Sequence, residues 1–249
     1  MTDPARAVVF GDDANAYETS RPSYPREAVD RVAGLIDASV AVEIGAGTGK
    51  ATVDIARPGL RLICLEPSHG MAVVLGGKEL PGVEVVVTTF EKWPGAGVPV
   101  DLIYAAQSWH WVDPAAGYER AKSLLRPGGY LALMWNIPAD RYTDFRDTYE
   151  RHAPHLLAEN DERIERRDSH DWRVDMAEAG FVDLDLFAHE WDAELSAAEF
   201  RSLYSTYSDH MLLPEPARTT LLDDLERAVT DRGGSVVLHY RTVVFSGRA

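Results

Sequence analysis

The chain has 249 residues, 45% of them hydrophobic, which is enough for one substantial globular α/β domain with its own core. Its 25 Lys and Arg stand against 40 Asp and Glu, and the net charge of -15 argues against phosphate backbones and anionic lipid headgroups as partners. No apolar run reaches the roughly eighteen residues of a membrane span, the segment from Met1 to Arg6 has no apolar leader core, and the single cysteine, Cys64, cannot form a disulfide within the chain. Together these features lead us to expect a cytoplasmic protein.

Helical spacing over Arg26 to Leu35 follows a polar N-terminal segment. Val40 to Ile44 then reads as a buried strand that stops in Gly45-Ala46-Gly47-Thr48-Gly49-Lys50, with a helix over Ala51 to Ala56. Alternating glycines let a backbone turn sharply and approach a ligand more closely than any Cβ permits, and the helix start would face that ligand with unpaired N–H groups. Strands are expected at Leu60 to Leu65, Val83 to Thr88, Val100 to Ala106 and Tyr130 to Trp135, with helices at Met71 to Leu80 and Ala115 to Leu125 between them. Pro127-Gly128-Gly129 punctuates the start of the fifth strand, and the alternation predicts a parallel sheet with helices on both faces.

From Asn136 to Arg173 the sequence turns rich in charge, which suggests a surface helical insertion with amphipathic helix around Asp144 to Leu157. A helix over Asp171 to Ala179 ends at Gly180, a strand runs from Phe181 to Phe187, and helices cover Ala197 to Leu213 and Pro216 to Thr230. A Gly233-Gly234 turn leads to a last strand from Ser235 to Phe245.

Spacing narrows what the glycine turn can hold. A phosphate loop needs four residues between its first Gly and its Gly-Lys pair, but only Ala46, Gly47 and Thr48 separate Gly45 from Gly49-Lys50. A dinucleotide fingerprint wants a third glycine where Lys50 stands, which weakens an NAD site without removing it. Glu66, at the end of the second strand, is an acid placed to accept from a ribose diol, and both NAD and S-adenosylmethionine carry one.

Glu43-x-Gly45-x-Gly47-x-Gly49, Glu66-Pro67, Phe90-Glu91, Asp101 to Gln107 and Leu124 to Gly129 follow one another in the order of the motifs of class I S-adenosylmethionine-dependent methyltransferases. The chain resembles that family over residues 10 to 137, and Tyr17 to Pro25 with Ala106 to Trp111 are similar to its trans-aconitate methyltransferase-like subgroup. The resemblance implies a Rossmann-like α/β fold with a seven-stranded, mostly parallel sheet, helices on both faces, an antiparallel last strand and a helical cap over the site. It divides the single domain into an N-terminal flap and helix (1–37), a cofactor-binding core (38–137), a cap with insertions around strand six (138–230) and a final strand (231–249). S-adenosylmethionine is then the cofactor and S-adenosylhomocysteine the product, with contacts implied for Tyr17, Arg21, Glu43, Gly45, Ala46, Gly47, Thr48, Gly49, Glu66, Pro67, Phe90, Glu91, Ala106 and Gln107.

Gln107-Ser108-Trp109-His110-Trp111 brackets an imidazole between two indoles just past the fourth strand. Aromatic faces attract a sulfonium, and a histidine of ordinary pKa can take a proton from a hydroxyl nucleophile, which makes His110 the candidate catalytic residue. Tyr24, Trp109, His110, Trp111, Tyr204 and Tyr207 are the expected substrate pocket, with core packing the plainer use of Tyr204, Tyr207 and the nearby His210. His152 and His155 lack matched ligands, so no metal is expected. The Asn/Asp-Pro-Pro-aromatic tetrapeptide of amino-methylating enzymes of nucleic acids is missing after strand four. The expected activity is therefore methyl transfer to a small molecule, at a carboxylate or hydroxyl oxygen, by a monomer or homodimer without nucleic-acid or membrane partners. A non-catalytic binder of the cofactor, or an NAD-dependent oxidoreductase, are the alternatives.

Overall fold

Seven strands form one sheet in the order β3-β2-β1-β4-β5-β7-β6: β1 Val40–Ile44, β2 Arg61–Leu65, β3 Val83–Val86, β4 Val100–Ala106, β5 Leu125–Pro138, β6 Val182–Ser196 and β7 Ser235–Arg248. The computed structural model describes residues 14–139, 145–157 and 170–249. Asp144, residues 158–169 of the charged insertion and the segment from Met1 to Arg6 lie outside them. β1 to β5 are parallel, and β7 runs antiparallel between β5 and β6.

The central strands are apolar on both sides because helices cover both sides. On one face Val42, Ile44, Ile103 and Leu133 pack with Phe90, Trp109 and Tyr118. On the other, Ala41, Leu102, Tyr104 and Met134 meet Ala28, Val29 and Val32 of helix α2, Arg26–Ala33. The chain winds from β1 outward to β3, then returns to start again at β4 beside β1. The crevice at the carboxyl ends of β1 and β4, where the winding direction reverses, is where open α/β sheets bind ligands.

Three strands are longer than their sequence signals. β5 begins at Leu125, but its register with β4 jumps from Val100–Leu125 to Leu102–Tyr130, so the Pro127-Gly128-Gly129 turn is looped out of the ladder. β6 continues past Phe187 to Ser196, paired with β7 all the way to Ser235. The alternation persists there, with Trp191, Ala193 and Leu195 against the cap core and Glu190, Asp192 and Glu194 toward solvent. The density of charge masks it.

Against these projecting strand ends sits a third core, made by helices α6 (Arg146–His152), α8 (Ala197–Ser205), α9 (Ser208–Met211) and α10 (Ala217–Asp231). Phe145, Tyr149, Phe200, Tyr204, Leu221, Leu225 and Tyr240 fill it. A capping box of Ser196 and Glu199 starts α8. The single helix expected from Ala197 to Leu213 is broken at Thr206, whose hydroxyl donates back to Leu203 O at 2.6 Å. Its carbonyl accepts from Arg21, a tertiary contact that periodicity does not carry.

Candidate active site

Past β1 the chain bends onto β2: Gly45 N and Ala46 N both donate to Leu65 O, at 2.8 and 3.1 Å. Glu66 fastens the rest of the turn, its Oε2 accepting from Gly47 N at 2.7 Å and its Oε1 from Ser68 N at 2.8 Å. Burial raises the Glu66 pKa and these two backbone donors offset part of the rise. Each carboxylate oxygen keeps a further lone pair for a hydroxyl donor. Gly49 N closes the turn onto Ala46 O at 2.9 Å, Thr48 is fully buried, and Pro67 is exposed.

Two glycines have different reasons for being glycine. A Cβ on Gly45 would lie 2.5 Å from Ser108 Cβ, so its small size lets the chain leaving β1 pass against the chain leaving the parallel β4, with Ser108 Oγ donating to Ile44 O. At Gly47, with φ at +59°, a Cβ would meet only Met71 Sδ at an ordinary 3.7 Å. The space above Gly47 is open, and a side chain there would project into it.

Beneath the turn, Glu43 is buried, and its Oε2 accepts from Thr52 Oγ1 at 2.6 Å, Tyr104 OH at 2.8 Å and Cys64 Sγ at 3.8 Å. Its Oε1 accepts no hydrogen bond from the described residues. Burial lifts the Glu43 pKa to about 7 despite those three donors, and the nearby Glu66 charge pushes the same way.

Helix α1 (Ala14–Ser20) and the stem that follows it lie over this turn. Glu18 pairs with Lys78 at 2.8 Å; burial alone would raise its pKa, but Lys78, Thr48 and Lys50 outweigh burial and hold it low. Tyr17 is raised by burial, with Arg21 opposing and Glu66 adding to the rise. Tyr24 is raised mainly by burial, with Tyr17 and Glu43 adding. Arg21 Nε donates to Thr206 Oγ1 at 2.8 Å and Nη2 to Thr206 O at 2.9 Å, while the guanidinium lies 4.2 Å from the Tyr207 ring and 5.2 Å from that of Tyr17. The flap is thus tied to the sheet domain through the Glu18–Lys78 pair and to the cap through Arg21.

At the end of β4, beyond Ala106, Gln107 takes a left-handed φ of +59°, uncommon for a residue with a side chain. Its N donates to Met134 O at 2.8 Å and its Nε2 to Asn136 O at 2.9 Å. Trp109 to Trp111 form a short 3-10 turn, with His110 and Trp111 half-buried and their rings 4.8 Å apart. Trp109 is instead in the core, 5.0 Å from Tyr118 and 6.2 Å from Phe90.

These placements show what the side chains of the expected ligand set already touch. The Phe90 side chain is buried under Trp109 and Arg120, and Arg120 Nε donates to Phe90 O at 2.8 Å, so its ring is not available to lie on an adenine. Glu91 is exposed and accepts from Asp113 N at 3.2 Å. Tyr204 stacks on Phe200 at 4.1 Å and meets Tyr207 edge-on at 5.0 Å in the cap core, the packing use rather than the pocket use. The Arg21 guanidinium is engaged by Thr206 rather than by the turn.

The general methyltransferase domain profile matches residues 42–133, the span from β1 through β5 that holds this turn. An uncharacterized methyltransferase of Mycobacterium tuberculosis is 33% identical over 217 residues, covering 87% of this chain and 84% of that protein. The chain belongs to the class I S-adenosylmethionine-dependent methyltransferases. Among solved structures, a protein of Anaeromyxobacter dehalogenans assigned as a type II methyltransferase superposes on this enzyme with a TM-score of 0.64 at 22% identity, over 92% of this chain and 97% of that one. A phosphoethanolamine N-methyltransferase of Haemonchus contortus, solved with S-adenosylhomocysteine, shares the fold at a TM-score of 0.54 and 14% identity, over 96% of this chain and 57% of that one. The NAD oxidoreductase and non-catalytic alternatives fall with this membership.

The methyltransferase's residues fit the cofactor they are expected to take: an open glycine, and two buried carboxylates with unspent lone pairs whose charge is felt by Tyr17 and Tyr24 of the flap. Among the described residues no group of three or more His, Cys, Asp or Glu could hold a metal, and no helix is long and apolar enough to cross a membrane. A groove of about 390 Å³ follows the projecting ends of β5, β6 and β7, lined among others by Ile137, Trp191, Tyr240 and Arg241, and no turn residue lines it. Sequence reading missed Asn136 and Thr206, which join flap, sheet and cap. Their only signal was an ordinary polar residue at an ordinary spacing.

Proposed function

We propose that this methyltransferase acts on an oxygen of a small molecule seated between the glycine turn and the flap and cap. The observation that carries the small-molecule part of this reading is the Arg21 link to Thr206, which joins flap to cap; in this reading the joined pair roofs the crevice at the ends of β1 and β4. The net charge of -15 also disfavours a polyanionic acceptor.

S-adenosylmethionine supplies an electrophilic methyl group on a sulfonium when bound. The chain's part is to hold it, align the nucleophile and exclude water. In this reading the backbone of Gly45, Ala46, Gly47 and Gly49 approaches the cofactor's methionine part, Glu43 Oε1 accepts from its ammonium, and Glu66 accepts from the ribose hydroxyls. Tyr17 covers the ligand from the flap, and Gln107 borders it at the β4 edge. Tyr24, His110 and Trp111 wall the acceptor side. The subgroup resemblance favours a carboxylate acceptor, which arrives deprotonated and needs no base; a hydroxyl acceptor would give its proton to His110.

A screen of small carboxylic acids, phenols and alcohols with radiolabelled methyl donor tests the class. His110→Ala should slow methylation of a hydroxyl by about 10²- to 10⁴-fold and leave a carboxylate acceptor within about twofold. Methyl incorporation confined to nucleic acid or protein would sink the small-molecule reading.

A further inference from the structure

Asn136 belongs to β5, two residues past Met134, whose O accepts from Gln107 N at the end of β4, and it is 5% exposed. Each of its polar groups is used for a different neighbour. Its Nδ2 donates to Ser23 O at 3.2 Å, its Oδ1 accepts from Thr242 Oγ1 at 2.6 Å, and its backbone O accepts from Gln107 Nε2 at 2.9 Å. The orientation of the amide is set by Ser23. Its O can only accept, so Nδ2 must face it and Oδ1 turns to Thr242, whose hydroxyl donates to Oδ1 while accepting from Trp191 Nε1 at 2.8 Å.

Ser23 lies in the flap stem between Arg21, held by the cap, and Tyr24, half-buried against the sheet core. Between these two holds the stem meets the sheet at Asn136. The same residue clamps the side chain of Gln107, whose left-handed backbone ends β4 at the crevice. We propose that Asn136 is a positioning residue for cofactor retention: its amide latches the flap stem to β5, and its carbonyl fixes the Gln107 edge beneath it. Asn136 touches neither reactant in this arrangement and acts through Ser23 and Gln107. The inference rests on the reading that the glycine turn and flap enclose the cofactor.

Asn136→Asp is the informative change, since it keeps shape and the bond from Thr242 but replaces the only donor toward Ser23 O with a second acceptor. Stopped-flow dissociation of S-adenosylhomocysteine from the full chain is measured beside the melting temperature of the ligand-free protein. The latch predicts dissociation about tenfold faster, the equivalent of one lost hydrogen bond, with association unchanged and ligand-free melting lowered by only the few degrees that one lost hydrogen bond costs. Thr242→Val, which frees the amide to turn, should give a smaller acceleration of about threefold and decides the matter if the first variant does not fold. Wild-type dissociation in whichever variant decides, or faster dissociation only where ligand-free melting falls by far more than one hydrogen bond's worth, would overturn the proposal. Gly47→Arg separates the two layers. If it retains binding, the enclosing-turn reading is wrong; if it loses binding while Asn136→Asp dissociates normally, only the latch is wrong.

Discussion

Around the Gly45 to Gly49 turn the contacts are made by backbone N–H groups, carboxylates and hydroxyls, whereas the cap is held together by rings: Phe145 on Phe200 at 4.7 Å, Phe200 on Tyr204 at 4.1 Å, and Trp191 on Tyr240 at 4.7 Å. A turn set by backbone bonds and a left-handed glycine allows few residue types at each position. A ring cluster tolerates exchange of its members as long as volume and patterning are kept. The donor half of such an enzyme can therefore stay fixed while the acceptor half is rebuilt, and mutations should divide along the same line.

The largest effect is expected at Gly47. Arginine there must adopt a left-handed backbone that costs on the order of 1–3 kcal/mol, and its side chain fills the open space above the turn. Calorimetry should find S-adenosylhomocysteine binding weaker by more than about 10³-fold, which is about 4 kcal/mol, with the fold retained by circular dichroism. Tight binding in this variant would erase the distinction between the halves, because the donor half would then be as tolerant as the cap.

Tyr204→Ala probes the other half. Removing a ring stacked on Phe200 and edge-on to Tyr207 and His210 leaves a cavity in the cap core, at a cost of about 3–5 kcal/mol in chemical denaturation. Cofactor affinity should stay within about threefold, since no ring of that cluster belongs to the turn. An affinity that falls in step with stability would mean that the two halves fold and bind as one unit.

The same division explains what could be read from the sequence. β1 and β4 were legible to the residue, because a short apolar run ending in glycine or in a β4-edge cluster has few other uses. Glu66 was legible as an acid at a strand end, although its grip on Gly47 N and Ser68 N was not, because such bonds depend on where the turn bends. Phe90 illustrates the opposite case: an aromatic beside an acid after a strand suits both a ligand and a core, and only Trp109 and Arg120 packed around it decide for the core. The break at Thr206 and the latch at Asn136 were invisible for a shared reason. Both depend on partners more than a hundred residues away, Arg21 185 residues from Thr206 and Ser23 113 residues from Asn136.

Glu43 offers the finest test, because it belongs to the donor half yet lies in its core. Its folded pKa of about 7 stands above the ordinary 4.5, so the folded protein holds this proton more tightly than the unfolded chain does. That contribution is fully present below pH 4.5 and is lost as pH rises through about 7, a decline on the order of 3 kcal/mol. Glu43→Gln keeps an acceptor for Thr52, Tyr104 and Cys64 but cannot ionise, so its stability should be flatter than wild type between pH 5 and about 8, with the gap widening toward the alkaline side. Binding should respond with the opposite sign. An ammonium beside Oε1 favours the carboxylate, so ligand binding below pH 7 must release a proton, and wild-type affinity for S-adenosylhomocysteine should rise with pH through about 7. In Glu43→Gln that rise should vanish. If stability flattens but the pH dependence of binding survives, Glu43 only supports the turn through Thr52 and Tyr104, and the cofactor's ammonium is held by another group.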